Sequence, residues 1–376
     1  MARSRASFLS YNDFHGAIDP PGGSGATVNG TPAGGVEYLA TWLKKLRAEA
    51  KAEGRVTTTV GAGDLIGATP LVSAAFHDEP TIELMNQVGL DVSSVGNHEF
   101  DEGVKELLRI GQGRLPPGRR LPGRRRLRRR EVHLPGRQHH QQEDQAADPA
   151  PDRREVRRRR AGRLRRVTLE GTPGIVNPAG IKDVTFTDEV QTANKWGGLL
   201  KLFGVKAMVL LVHEGGAQSA PPATRASPTA PTSPARSSTS SRACGRSSAW
   251  WSPDTPTAST PARCRNSSGK PSVVTSAGNN GQLVTDIDYS LNRRTGRFTS
   301  ITREERDRGE RRAQRRRDLA ADGGVVRQEP ALVDAGAKTL ADKYRTAVAP
   351  IANRVVGKIS ADIVPGRPAQ RGEPAG

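Results

Sequence analysis

Four strings carry the residue types that bind hard cations and move protons: Ser10-Tyr-Asn-Asp13-Phe-His15-Gly16, Val60-Gly-Ala-Gly63-Asp64-Leu-Ile-Gly67, Asp91-Val-Ser-Ser-Val-Gly-Asn97-His98-Glu99-Phe100 running into Asp101, and Met208-Val-Leu-Leu-Val-His213-Glu-Gly-Gly216. Each follows an apolar run with strand character, so all four place polar groups at strand ends along one sheet edge. Asp13 and His15 are two apart and, on an extended backbone, face one side and grip one cation. Asp64 follows a Gly-Ala-Gly turn that lets backbone approach closely, and one carboxylate can bridge two ions roughly 3.5–4 Å apart. Asn97 and His213 then serve the second ion. Carboxylate, imidazole and amide donors together suit Zn, Mn or Fe better than Mg or Ca. Such a pair of divalent ions activates water and polarises a phosphoryl group. His98, oriented by Asp101, stabilises developing charge or protonates the leaving oxygen.

Taken singly, each residue has an ordinary explanation. Asp13 and Asp64 are turn formers, His15 and His213 read as loop or surface histidines, and Asp101 sits where a helix dipole favours an acid. Their order and shared strand-end setting carry the joint reading.

The elements needed to position them are legible. Strands are expected at Ser7–Asn12, Val56–Val60, Val92–Val95, Val167–Leu169 and Ala207–Val212, with helices at Val36–Glu53, Thr81–Val88, Glu102–Ile110 and Glu189–Phe203. This alternation predicts an α/β fold with a mainly parallel sheet under covering helices. Trp42, Leu43 and Leu46 share one helical face and read as core. Farther on, Val273–Ser276, Leu283–Leu291 and Phe298–Thr302 read as strands, the last two joined as a hairpin through Asn292-Arg-Arg-Thr-Gly296. Pro330–Ala352 reads as a helix and Arg354–Val364 as a strand.

The four strings resemble the 5'-nucleotidase branch of the calcineurin-like metallophosphatases, over about Ser7–Ile110, Val167–Gln218, Asn266–Thr302 and Val325–Pro365. The resemblance implies an α/β/β/α sandwich of two packed sheets with flanking helices. It implies Asp13, His15, Asp64, Asn97 and His213 as ligands of two divalent metal ions, and His98 with Asp101 as the catalytic pair. It implies residues 1–329 as the metallophosphoesterase domain, with 330–376 a connecting helix and the start of a C-terminal domain that holds the nucleobase. Substrate-binding residues are therefore not assigned; the resemblance implies 5'-nucleotidase activity that releases phosphate from nucleotides, and nucleotide sugars, cyclic nucleotides and other phosphoesters would use the same metals. The family also uses a Gly-His-X-His or Gly-His-X-Gln loop, and no such string occurs here.

Three stretches, 113–166, 219–265 and 303–318, break the pattern. Between Arg114 and Arg166 stand nineteen Arg, six acids and no Lys, so most of the net charge of +19 sits in one block. That block has no aromatic residue to stack on a base, which argues against a nucleic-acid partner despite the charge. Ser219–Arg265 has no Val, Ile, Leu, Phe or Tyr. Neither stretch buries enough apolar surface to fold alone. Both read as GC-rich coding sequence translated in a shifted frame, in preference to genuine low-complexity linkers. Moving permitted codons for Arg236–Arg265 by one base can restore an apolar strand followed by Gly-His-Thr-His, whose histidines straddle the codons for Asp254/Thr255 and Pro256/Thr257. Arg128–Arg153, Arg303–Asp318 and the tail from Pro365 yield ordinary strand or turn patterns in the same way.

Cys244 and Cys264 lie in the suspect stretch and carry no redox information. No run is long enough to span a membrane, and Met1-Ala-Arg-Ser-Arg leads into the first strand without an apolar signal region. By resemblance the location is extracellular or in the cell envelope; with Met1 as the true start it would be cytoplasmic. The expected activity is metal-dependent phosphoester hydrolysis, impaired in the chain as written. The alternative is a basic nucleic-acid-binding protein on a degenerate, catalytically dead phosphatase scaffold.

Overall fold

Twelve strands and six α-helices are seen in the computed structural model, which describes residues 3–112, 163–214, 248–251, 262–265, 271–303 and 324–357. The first sheet contains β1 (Arg3–Tyr11), β4 (Val56–Ala62), β5 (Val92–Ser94), β11 (Thr285–Asn292) and β12 (Arg297–Arg303), in the order β12-β11-β1-β4-β5. The second runs β6-β7-β8-β10-β9, from β6 (Arg163–Thr168), β7 (Met208–His213), β8 (Ser248–Trp251), β9 (Ala262–Arg265) and β10 (Pro271–Thr275). A small hairpin, β2 (Thr27–Val28) with β3 (Thr31–Pro32), precedes helix α1 (Val36–Ala52).

Alternation along the strands builds a four-layer sandwich. On β1, Leu9 and Tyr11 point to a core shared with α1, α3 (Glu79–Val88) and α6 (Ala335–Ala352), which includes Leu39, Leu43, Leu84, Met85, Ala341 and Tyr344. The intervening Ala6 and Phe8 face the other way and meet Val209 and Leu211 of β7, so this cluster is the seam between the sheets. Leu210 and Val212 then pack outward on Ala193 of α5 (Glu189–Leu202). Six consecutive buried residues in β7 follow from its having a covered layer on both faces. Trp42 and Leu43 are buried as the helical spacing requires, and Leu46 packs against the same core.

Two packed sheets are present, as the α/β/β/α expectation has it, and the parallel strands read from the β/α alternation are divided between them. β1, β4 and β5 are mutually parallel in one sheet, while β6 and β7 are parallel in the other. Apolar runs report that a strand is covered on both faces, and say nothing of which strands lie beside it. The β11–β12 hairpin likewise joins the first sheet, antiparallel to β1 with Ser7 opposite Asp288; β10 is the C-terminal strand that enters the second. Its turn is held by the Asn292 carboxamide, which accepts from the N–H groups of Arg294 and Thr295 at 2.9 and 3.1 Å.

Ser219–Arg265 supplies β8 and β9, two strands its composition did not announce; β8 pairs in parallel with β7 and β10. Ladder bonds to preformed neighbours supply the pairing that local sequence lacks. The helix expected from Pro330 is a 3₁₀ turn, Pro330–Leu332, and then α6, because Asp334 restarts the chain by capping the Ala337 N–H at 2.9 Å. Arg354–Gly357 is irregular where a strand was expected, and the rest of that strand lies outside the described residues. Most of the anomalous stretches 113–166, 219–265 and 303–318 also lies outside them. Among the described residues no helix is long and apolar enough to cross a membrane.

Candidate metal centre

Parallel strands deliver their C-terminal ends to one edge, and the two sheets meet there. β1 ends before Asp13, β4 before Asp64, β5 before Asn97 and His98, and β7 ends on His213. Backbone bonds zip the first two loops: the N–H groups of Asp13, His15 and Gly16 donate to the carbonyls of Gly63, Asp64 and Leu65, each at 3.0 Å. Thr168 Oγ1 donates to Val95 O at 2.8 Å and ties the second sheet to the β5 loop.

His213 Nε2 lies 2.9 Å from Asp64 Oδ2 across the seam, and its Nδ1 is 3.2 Å from Ala62 O. Both side chains are almost wholly buried. Asp13, Asp64 and His213 each bring one ligand atom within 4.8 Å of the others. His15 Nε2 stands 3.8 Å from Asp13 Oδ1 and 3.9 Å from Asp64 Oδ2, its Nδ1 held by Gly67 O at 3.0 Å. Asn97 is buried between Gly96 and His98, both of which touch Asp64. The His98 N–H donates to Asp64 Oδ1 at 3.0 Å, and His98 Nδ1 lies 2.9 Å from Asp101 Oδ2. The His15 and His98 rings meet edge to face with centroids 5.0 Å apart.

The extended geometry expected for Asp13 and His15 is not what brings them together. They have φ of 48° and 46°, and Asp64 has 50°, all in the left-handed region that costs a residue with a Cβ about 1–2 kcal/mol. Three such residues in one cleft concentrate strain where side chains converge. Glycine makes the approach possible. A Cβ on Gly96 would sit 2.1 Å from Asp64 Oδ1, and one on Gly63 would sit 2.6 Å from His213 Nδ1.

The cleft draws positive charge. Burial pulls the His15 imidazole down, but the nearby Asp13 carboxylate, the bond to the Gly67 carbonyl and the charge of Asp64 lift its pKa to about 9. Burial would raise Asp64, yet its bond to His213, the charge there and the His98 N–H hold the carboxyl below its ordinary value. Two buried carboxylates with an imidazole on adjoining loops, and glycines that clear the space beside them, form a donor set that fits a divalent cation of the Zn, Mn or Fe type.

Two contributors lay outside the sequence reading. The Asn12 carboxamide donates to Asp13 Oδ2 and Gly278 O, each at 2.6 Å, and accepts from the Ala277 N–H at 2.8 Å, so it ties the first ligand loop to the segment after β10. Glu99, 3% exposed, accepts from the N–H groups of Asp64, Leu65 and Gly96. Burial, then the charge of Asp64, push its carboxyl up to about 7, against the pull of His213 and the amides. The reach from Glu99 back to the Gly96 N–H is a local contact three residues apart, and it is the only one of its three bonds that lies near it in sequence.

No protein-family model matches the chain. It is 37% identical over 222 residues to endonuclease YhcR of Bacillus subtilis, covering 54% of this chain and 16% of that one. It is 33% identical over 214 residues to a cell wall protein of Listeria monocytogenes, covering 54% and 27%. It is 34% identical over 106 residues to a probable 5'-nucleotidase of Treponema pallidum, covering 27% and 17%. The chain thus spans well under a third of the length of each of these relatives. Among solved structures, NAD nucleotidase from Haemophilus influenzae superposes with a TM-score of 0.61 at 19% identity, over 96% of this chain and 63% of that one. A 5'-nucleotidase precursor from Thermus thermophilus gives 0.59 at 18%, over 94% and 60%. The calcineurin-like phosphoesterase YfkN of Bacillus subtilis gives 0.55 at 14%, over 94% and 100%. These likenesses show a shared fold.

Proposed function

We propose that this chain, which resembles the 5'-nucleotidases and calcineurin-like phosphoesterases and shares their fold, is a metal-dependent phosphoester hydrolase whose substrates are nucleotides. The observation that carries the reading is the convergence of Asp13, Asp64 and His213 from three strand ends of two sheets, with the His98–Asp101 pair against Asp64. Asp13, His15, Asp64, Asn97 and His213 would hold two divalent cations. When bound, such cations supply a nucleophile from water at neutral pH and neutralise charge on the phosphoryl oxygens.

The protein's own groups supply the rest. Asp101, accepting from His98 Nδ1, fixes the orientation of the ring and leaves Nε2 as the atom to stabilise charge at phosphorus or pass a proton to the leaving oxygen. The half-exposed edge formed by His15 and His98 is where a phosphoryl group would enter. The ligand set lacks the Gly-His-X-His loop, so turnover by the chain as it stands is small. An envelope or extracellular location accords with the cell wall relative. We assign residues 1–329 to the hydrolase domain and the helix beyond to the connection toward a C-terminal domain.

Phosphate release from adenosine 5'-monophosphate in Mn2+, compared between the parent chain and Asp64→Ala or His98→Ala, tests the assignment. Equal rates in all three would remove it. A phosphodiester substrate is the second reading, favoured by 37% identity to a protein named an endonuclease. Plasmid nicking at the same Mn2+ concentration separates the two.

A further inference from the structure

We propose that Glu99 is the positioning residue of this site: one buried carboxylate clamps the Asp64 loop to the Gly96–His98 loop and so fixes Asp64 for cation binding. Its Oε2 accepts from the Asp64 N–H at 3.0 Å and the Gly96 N–H at 2.6 Å, while Oε1 accepts from the Leu65 N–H at 2.7 Å. Asp64 and Leu65 follow β4; Gly96 follows β5. The clamp therefore spans two loops that meet only at the site.

The geometry asks for a carboxylate in particular. Three N–H donors converge on two oxygens, and a carboxyl group is the side chain that presents two oxygens and no fixed N–H to them. A glutamine would turn an NH2 toward at least one of those donors. An aspartate is one methylene short of reaching both loops. Without the clamp, three amides in a buried turn lose their acceptor, and buried N–H groups are almost always paired. Asp64 is otherwise held by the His98 N–H on Oδ1, by His213 on Oδ2 and by the His15 N–H on its carbonyl. Glu99 holds the remaining backbone group, the N–H, of a residue whose φ is 50°. Glu99 thus works through Asp64, as outer partners of metal ligands do when they set ligand orientation.

The consequence for metal rests on the hydrolase reading; the clamp does not, and the experiment separates them. Amide hydrogen exchange and Mn2+ titration by electron paramagnetic resonance are run on the full chain, its Glu99→Gln and Glu99→Asp variants, and Asp64→Asn. We expect Glu99→Gln to lose protection at the amide or amides its NH2 faces, Leu65 or the Asp64 and Gly96 pair, and to bind Mn2+ about 10–100-fold more weakly. Excess Mn2+ should restore occupancy in Glu99→Gln and fail to do so in Asp64→Asn. A residue that merely stabilised the fold would lower the melting temperature and leave Mn2+ affinity at the parent value. Parent-like affinity, or protection retained at these amides, overturns the proposal. Should Glu99→Gln not fold, Glu99→Asp reads the same clamp, with protection expected to fall at one loop and persist at the other; uniform protection there overturns it. A parent chain that binds no Mn2+ sinks the hydrolase reading, and the exchange data still decide the clamp.

Discussion

Replacing Gly96 with alanine should disable the centre without replacing any proposed ligand. Gly96 has no left-handed φ, so its backbone accepts a Cβ, but the added carbon would lie 2.1 Å from Asp64 Oδ1 and 2.8 Å from His213 Cδ2. Ordinary contact begins near 3.4 Å. The carboxylate must therefore retreat by about 1 Å, a displacement of the size that costs about 100-fold in a pre-organised site, or about 2.7 kcal/mol. Crowding of a packed turn adds about 1–3 kcal/mol of destabilisation. The assay is Mn2+ affinity and phosphate release, with circular dichroism to establish folding. Gly197→Ala in α5, whose Cβ would meet nothing within 4 Å, is the control for glycine replacement as such. Folded Gly96→Ala with parent Mn2+ affinity would show that the cation does not sit against Asp64 Oδ1, and the site would have to be redrawn.

Other perturbations separate the parts. His98→Ala should cut phosphate release by about 10²–10⁴-fold and leave Mn2+ affinity unchanged, because the backbone N–H that holds Asp64 survives the substitution. Chelation should lower the melting temperature of the parent chain and not of Asp64→Ala; at Mn2+ one hundred times its dissociation constant the linked stabilisation is about 2.7 kcal/mol. Asp334→Ala should cost about 1 kcal/mol by uncapping α6. Burial would raise the Asp334 carboxyl, but Lys44 and the capped N–H groups hold it below its ordinary value. Its stabilisation is thus present above the unfolded-chain value near ~4 and fades as pH falls through the lower folded value. Urea titrations of parent and variant at several pH values should show the gap closing in acid, and a constant gap would refute the cap's role.

The converging residues Asp13, Asp64 and His213 were legible because strand ends carry a strong local signal: an apolar run, a turn, then Asp or His. Their backbone state was not. Asp13 and His15 read as extended by spacing, and the structure instead holds both in the left-handed region through bonds to the Gly63 and Asp64 carbonyls. Such strain is set by a loop 50 residues away, which no local pattern encodes. Glu99 shows the same limit, since its three donors come from two loops and only Gly96 lies near it in sequence. Helix positions followed apolar periodicity closely, as Val36–Ala52 and Glu189–Leu202 show. Sheet membership did not, because β7 is covered on both faces whichever sheet contains it.

β8 joins the gap in the ligand set to the anomaly in the sequence. It lies between β7 and β10, parallel to both, with Leu211 opposite Trp251, so its C-terminal end opens on the edge where β7 delivers His213. In the shifted frame, the restored apolar strand covers this stretch and the Gly-His-Thr-His histidines fall on the codons for Asp254/Thr255 and Pro256/Thr257, just beyond Trp251. A linker inserted at random has no reason to place a strand at that slot in the sheet. The shifted-frame account therefore predicts that replacing Arg236–Arg265 with its one-base-shifted reading tightens binding of both Mn2+ ions and increases phosphate release. Unchanged Mn2+ affinity after repair would separate the β8 position from the missing ligands, and peptide masses matching the written residues of Ser219–Arg265 in the native protein would establish the stretch as a genuine insert.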